Sequence, residues 1–382
     1  MIRRFGVLAF ILLSLSGVAR AQDDSSRRDI SVHDFRGYLK QLTIFQFARS
    51  IDTVVTLGEL HNRLGLSVSI GSRLELHAEA RTRLYYGEGV RYVSDASQLV
   101  GSSNESIMWA HNRSLILHTM LDRLYLDETD GDLSVRAGIQ RLNWGINTIW
   151  TPNDIFNSYN VFDFDYEEGP GAEAVRARYT IEPGLSVEGA FENRAWRDMT
   201  AAVRAMWNVG GYDLQALAGA FRGSPVAGVG FAGNIGDAGW KGEASYFGAS
   251  SGHTSAVTAS MTFDHVIGGY FLTLSGLYCS DVPASAASGG ELFDATRTAR
   301  QLMPFRYTGY LSASKAFTPL FTATAAVLYS PTNGSLILFP SIAYSLAENV
   351  DADLTLESFF NNATGPYAAA ANAFFLRLRW SF

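Results

Sequence analysis

The chain of 382 residues lacks most of the groups that build disulfide or metal-binding scaffolds. It contains one cysteine, Cys279, so no disulfide bond can form within it. Beyond the first 21 residues, no apolar run reaches the 18 residues that suggest a membrane-spanning helix. The net charge of -7 and a pI of about 5.5 argue against a nucleic-acid-binding protein. No metal or cofactor is expected, because the histidines lack zinc-type spacing: His33, His61, His77, His111, His118, His253 and His265.

The amino terminus has the features of a secretory signal peptide. Arg3 and Arg4 precede an apolar stretch over 5–18, and Ala19-Arg20-Ala21 has the form of a leader-peptidase site. We therefore expect a signal peptide over 1–21, cleavage before Gln22, and an exported protein. The polar residues 22–35 are expected to be a flexible lead-in to a folded unit over 36–382.

The last nine residues alternate between two environments. Phe374, Leu376, Leu378, Trp380 and Phe382 fall on one face of a strand, and Arg377 and Arg379 fall on the other. This ending resembles the terminal strand of Gram-negative outer-membrane barrels, in which a final Phe is the assembly signal. The resemblance implies that the leucines face lipid, that the arginines face a watery lumen, and that the barrel-assembly machinery recognises Phe382.

Turn residues divide the interior into about 18 such segments, most of them long enough for a tilted membrane strand. Short and long connections interleave: the long ones are 87–112, 143–173, 281–301 and 362–369. This asymmetry predicts an all-β, antiparallel up-and-down barrel with short periplasmic turns and long extracellular loops; 16 strands is the alternative if 36–62 does not form two. The predicted strands are 36–47, 60–70, 73–86, 113–127, 132–142, 174–182, 184–193, 199–209, 211–222, 225–234, 239–249, 254–264, 269–280, 302–317, 320–330, 335–347, 350–361 and 370–382.

The segment 73–86 shows why closure in a membrane is favoured. Arg73, Glu75, His77, Glu79, Arg81 and Arg83 alternate with mainly apolar residues. Such a row of ionisable groups cannot occupy a protein core. It could form the wet face of a soluble sandwich, but its repetition in 174–182 and 184–193 favours a barrel that leaves no open edge in lipid.

The connection 143–173 is expected to be the third outer loop and to fold inward. A strand with Gly138 and Gln140, followed by Trp144-Gly145, resembles a pattern in porin-like barrels, where the third loop narrows the lumen. The carboxylates of this connection, Asp163, Asp165, Glu167 and Glu168, could also bind Ca²⁺ or simply be solvated. The proposed constriction residues are Trp144, Trp150, Asp154, Asp163, Asp165, Glu167 and Glu168.

Arginines are expected to line the path opposite this loop, where they would select solutes by charge, or else pair with lumenal carboxylates. They are Arg81, Arg83, Arg136, Arg176, Arg178, Arg204, Arg377 and Arg379.

The sequence therefore predicts a porin-like channel of the bacterial outer membrane for passive diffusion of small hydrophilic solutes. Selectivity for charge or sugars, export of a polysaccharide or other solute, and a structural or adhesive barrel without transport remain open. No catalytic residues are assigned, since His118 and Asp122 on one strand face are about 13 Å apart. The expected partners are outer-membrane lipid, the assembly machinery, the solute and, as an option, two further copies in a homotrimer.

Overall fold

The computed structural model describes residues 30–47, 52–93, 106–157, 171–193, 198–250, 252–282, 298–361 and 368–382. The expected signal peptide lies outside these residues. Among the described residues, no helix has the length and hydropathy needed to cross a membrane. The described part consists almost wholly of strands, with one short 3-10 helix at Glu88–Tyr92.

Nineteen strand segments follow one another along the described chain. They are β1 (Ile30–Phe47), β2 (Val54–Ile70), β3 (Leu74–Tyr86), β4 (Ser106–His111), β5 (Leu115–Asp130), β6 (Leu133–Gln140), β7 (Ala172–Glu182), β8 (Leu185–Asn193), β9 (Met199–Val209), β10 (Tyr212–Phe221), β11 (Ser224–Ile235), β12 (Ala238–Phe247), β13 (Ala256–Ile267), β14 (Tyr270–Cys279), β15 (Tyr307–Thr318), β16 (Phe321–Ser330), β17 (Ser335–Ala347), β18 (Val350–Asn361) and β19 (Ala368–Ser381).

The segments form one closed antiparallel sheet. Neighbours in sequence pair with one another, and β1 pairs with β19 from Tyr38–Ser381 to Phe47–Asn372. The short β4 occupies no position of its own, because β3 pairs directly with β5 along its length. β4 lies beside the first part of β5, and β6 lies beside the second part. The result is a closed 18-strand up-and-down barrel, which confirms the predicted fold.

The connections divide between the two ends of the barrel as predicted. At the end that holds the carboxy terminus, every described connection has two or three residues. In one of them Gly210 and Gly211 have φ of 61° and 82°, the conformation that a two-residue type I′ turn requires and that glycine adopts without strain. We call this the turn end. All longer connections lie at the other end, which we call the loop end.

Four predicted boundaries were wrong. β1 begins at Ile30, inside the expected lead-in, because Ile30 to Arg36 pair with the end of β2. β2 begins at Val54, where it pairs with Phe47. The expected loop over 87–112 contains the 3-10 helix and β4. β15 begins at Tyr307, because the described residues 298–306 bend away from the sheet and several of them are buried.

The barrel is apolar outside and polar inside. In β3 the outward Leu76 and Tyr86 are exposed, whereas the inward His77 and Glu79 are buried. The same alternation places Leu376, Leu378 and Trp380 outside in β19 and the two arginines between them inside. A hydrocarbon environment stabilises such an apolar belt, and closure satisfies the backbone hydrogen bonds of every strand.

Candidate pore and third outer loop

The lumenal side of β1 to β9 carries most of the buried ionisable groups. We call this surface the charged wall, and it arises because alternate residues of neighbouring strands point to the same face. Its members are Lys40, Glu59, His61, Arg63, His77, Glu79, Arg81, Arg83, His118, Asp122, Arg123, Asp127, Arg136, Arg176, Arg178, Glu188, Glu192 and Arg204.

Carboxylates and arginines from different strands interlock at the centre of the charged wall. Asp122 is fully buried, and its carboxylate lies 2.9 Å from an Nη2 of Arg63 and 3.5 Å from Nη2 of Arg81. Arg63 also donates a hydrogen bond to the carboxylate of Glu79. The other oxygen of this carboxylate lies 2.9 Å from Nε2 of His77. Buried charges are tolerated only when they are paired in this way. The side chains of the cluster therefore hold one another in position.

Most of the predicted pore arginines have carboxylate partners. Arg83 lies 3.1 Å from Glu59, and Arg204 lies 3.2 Å from Glu188. Arg136 pairs with Asp127, and Arg377 lies 2.9 Å from Asp353. Arg379 stacks over the ring of Tyr38 at 4.6 Å.

Two arginines of β7 differ from the others. Within the described part of the chain, no carboxylate oxygen lies within 4.0 Å of Arg176 or Arg178. Both lie on the lumenal face of β7, Arg176 partly exposed and Arg178 exposed. The described wall therefore presents accessible positive charge at this point.

The beginning of the third outer loop lies against the opposite wall. The carboxylate of Glu243, on β12, accepts hydrogen bonds from the backbone N–H groups of Ile146, Asn147 and Asn153, the last two at 2.5 and 2.9 Å. Charge-assisted bonds of this kind are about twice as strong as neutral ones. Glu243 thus binds two separate parts of the loop to one strand.

Hydroxyl and amide groups of neighbouring strands extend this attachment. Ser245 donates to the carbonyl of Pro152 at 3.0 Å, and Ser260 donates to the carbonyl of Trp150 at 2.8 Å. Gln215 on β10 donates to the carbonyl of Trp144 at 3.1 Å. Because these bonds come from β10, β12 and β13, described residues 144–153 follow the inner wall.

Trp144 connects the loop to the charged wall. Its indole N–H donates to Glu188 at 2.6 Å, and Arg204 lies over its ring at 5.2 Å. The ring also packs edge-on against Phe156 at 4.9 Å. Trp144 is 0% exposed, so its aromatic face is covered rather than available for stacking on a sugar.

Trp150 lies in a second apolar cluster that the sequence did not predict. It is buried with Met303 and Phe305, which belong to the connection between β14 and β15. Arg300 of the same connection bonds to Asp281 at 2.5 Å, and its carbonyl accepts a bond from Thr258 at 2.6 Å. A second long connection therefore also packs inside the barrel, and only its length signalled this in the sequence.

Asp154 is buried at the base of the third loop. Burial raises the pKa of Asp154 to about 8; the backbone N–H of Trp144 opposes this increase, and the nearby Glu243 carboxylate adds to it. The Trp144 N–H lies 3.4 Å from the carboxyl oxygen Oδ1. At neutral pH the group is mostly protonated, so it does not present the negative charge expected from the sequence.

The remaining proposed constriction residues, Asp163, Asp165, Glu167 and Glu168, lie outside the described residues. The groups missed from the sequence are Glu243 with Ser245 and Ser260, which hold the loop. An isolated acid in the segment WKGEASYF was the available signal. Among the described residues no cluster of His, Cys, Asp or Glu is suited to holding a metal ion.

Solved structures with the same architecture are outer-membrane channels. OccK9 (OpdG) of Pseudomonas aeruginosa aligns with a TM-score of 0.60 and 12% identity over 93% of this chain and 98% of that one. The chain has the porin fold. OccAB1 of Acinetobacter baumannii gives 0.59 and 10% over 94% and 99%. OpdK of P. aeruginosa, solved with vanillate, gives 0.58 and 11% over 91% and 98%.

The porin fold confirms the predicted resemblance to porin-like barrels and the predicted location in the bacterial outer membrane. No protein-family model and no curated protein matches the chain.

Proposed function

We propose that this protein is a channel for the passive diffusion of small hydrophilic solutes, with a preference for anions. The observation that supports the proposal is the closed 18-strand barrel with a charged lumenal wall on one side and the start of the third loop attached to the other. A barrel of this strand number is wide enough to enclose an aqueous path.

Anion preference follows from the unbalanced charge on β7. Where arginine and carboxylate are paired, their fields largely cancel for a passing ion. The fields of Arg176 and Arg178 are cancelled less completely, because no described carboxylate lies within 4.0 Å of them. Positive side chains along a narrow aqueous path lower the energy of anions and raise that of cations.

Single-channel recording in planar lipid bilayers tests the channel. We expect stepwise conductance from the purified barrel and a reversal potential in a salt gradient that favours anions. The double variant Arg176→Glu/Arg178→Glu should move the reversal potential toward cations. A folded barrel that gives a silent bilayer would contradict transport and favour the structural or adhesive alternative.

Arg73→Glu, which reverses one charge instead of two, is the control for the charge reversal. Arg73 is an exposed residue of a turn, 3.2 Å from Asp130. The Arg73→Glu variant changes the charge at the turn end of the barrel without altering the lumenal face of β7. The reversal potential of this variant should therefore stay near that of the wild type. An equal shift in both proteins would remove Arg176 and Arg178 from the proposed filter.

Two expected partners complete the proposal. We propose that Phe382 is the residue that the barrel-assembly machinery recognises, and that the protein can associate as a homotrimer. Deletion of Phe382 should lower the amount of folded barrel in the outer membrane, and chemical cross-linking in membranes should give a trimer band. Normal assembly without Phe382, or monomers alone, would contradict the respective proposal.

A further inference from the structure

The outward face of β15 to β19 contains an apolar groove. Three alanines and a proline form its floor, because their small side chains lie between larger neighbours on adjacent strands: Ala313, Ala323, Ala325 and Pro340. Ile342, Leu354, Leu356 and Phe374 form much of its walls. The groove has a volume of about 440 Å³ and lies on the face that the barrel turns toward hydrocarbon.

One cation borders this groove. Lys315 points outward from β15, with its Nζ 4.3 Å from the centre of the Tyr270 ring and 5.5 Å from that of Phe317. Among the outward positions of the strands that the structure describes, Lys315 is the only lysine or arginine. No described carboxylate lies within ion-pair distance of it. A lone cation beside an apolar surface needs a compensating anion or contact with water.

The height of Lys315 matches a membrane interface. It lies three residues before the end of β15, which is about 10 Å along the strand from the turn end. Exposed aromatic side chains surround the barrel at this height, including Tyr270, Phe317, Tyr344 and Trp380. Such a girdle marks the boundary between hydrocarbon and headgroups. Since short turns face the periplasm, this is the interface of the inner leaflet.

We propose that the groove binds one anionic phospholipid of the inner leaflet, with an acyl chain over the alanine floor and its phosphate at Lys315. The groove already lies in hydrocarbon, so an acyl chain fills it without the cost of bringing in another protein. The phosphate supplies the anion that the described chain does not place near Lys315. The aromatic rings of Tyr270 and Phe317 hold the aliphatic part of the lysine at the headgroup level.

A second copy of the chain is the competing occupant. Glu128 lies on the outward face of β5 near the turn end and could reach Lys315 of a neighbour at the same height. Phospholipid is favoured over a second copy, because an ion pair between Lys315 and Glu128 would be buried beside an apolar groove and poorly solvated. Such buried pairs are costly.

Native mass spectrometry of the membrane-extracted barrel tests the proposal. The fraction of barrels that retain one lipid is measured during titration with phosphatidylglycerol and, separately, with phosphatidylethanolamine. We expect stronger retention of phosphatidylglycerol by the wild type. Lys315→Gln should weaken it about fivefold, the value of one basic residue at a membrane surface. Retention of phosphatidylethanolamine should fall less, because the ammonium group of that lipid offsets the charge of its phosphate. Ala325→Leu, which fills the floor, should weaken retention of both lipids.

Ala205→Leu is the control, since it adds the same side chain to the outward face of β9, away from the groove. It should bind both lipids as the wild type does. Each variant is first shown to migrate as a folded barrel before heating. Equal phosphatidylglycerol retention by wild type and Lys315→Gln would overturn the proposal. So would a dimer mass that is lost in both Lys315→Gln and Glu128→Gln.

Discussion

Gly37 and Phe382 exchange two backbone hydrogen bonds where the first and last strands meet. Each N–H donates to the other residue's carbonyl at 2.9 Å. A Cβ at Gly37 would lie 2.6 Å from the carbonyl oxygen of Arg63 and 2.9 Å from carbons of the Phe382 ring. The closure of the barrel at the turn end therefore depends on a glycine opposite the carboxy-terminal phenylalanine.

Gly37→Ala should weaken this closure. The methyl group must displace backbone, not only a flexible side chain, so we expect a loss of about 1–3 kcal/mol in the free energy of unfolding. Urea unfolding of the refolded barrel in lipid measures it. Gly276→Ala is the control, because a Cβ there meets no atom within 4 Å. Equal unfolding midpoints for the two variants would contradict the role assigned to Gly37.

Glu243→Gln should release the beginning of the third loop. An amide has a single acceptor oxygen, and its NH2 group would oppose a backbone N–H that now donates to the carboxylate. Loss of one charge-assisted bond costs about 1.5–3 kcal/mol. Hydrogen exchange at the amides of Ile146, Asn147 and Asn153 should therefore become faster. Glu75→Gln changes a lumenal acid that bonds to His33 instead, and it should leave those three amides protected.

The charge of Asp154 should make stability depend on pH. Its pKa is about 8 in the folded protein and about 3.9 in an unfolded chain, so the folded state holds the proton more tightly. The stabilisation that protonation provides is complete below the unfolded value and is lost as pH rises through the folded value.

The Asp154→Asn variant isolates this contribution. Relative to the variant, the wild type should lose unfolding free energy steadily from about pH 4 to pH 8 and then level off. The urea midpoint measured across this range shows the difference between the two proteins. Parallel pH profiles would mean that Asp154 keeps an ordinary pKa in the folded barrel.

Trp144→Phe should weaken the junction between the loop and the charged wall. The change removes the indole N–H that Glu188 accepts at 2.6 Å. A buried acceptor that loses its partner costs about 1–3 kcal/mol. A double-mutant cycle with Glu188→Leu, which has no acceptor, should show a favourable coupling energy between the two residues. Trp109→Phe serves as control, because the Trp109 ring is exposed and its N–H bonds only to Thr119 in the described contacts. Additive effects of Trp144→Phe and Glu188→Leu would contradict a direct interaction.

Local sequence patterns predicted much of the fold. The alternation from Glu75 to Arg83 predicted which side chains face inward, since successive residues of a strand point to opposite faces whatever surrounds them. Gly210 predicted a tight turn for an equally local reason, although the turn also includes Gly211. The beginning of β1 at Ile30 escaped prediction, because that segment is a strand only through its pairing with the end of β2.

The sequence by itself determined a closed barrel, its apolar outside and the side on which each arginine lies, because these properties repeat with the period of the backbone. Only the tertiary structure decided which arginines form an ion pair with a carboxylate and which do not. Asp122 meets Arg63 and Arg81 from two other strands, and Glu243 holds loop residues 90 to 97 positions away. Such contacts depend on how strands are staggered around the barrel and where a long loop turns, and no short-range pattern encodes either.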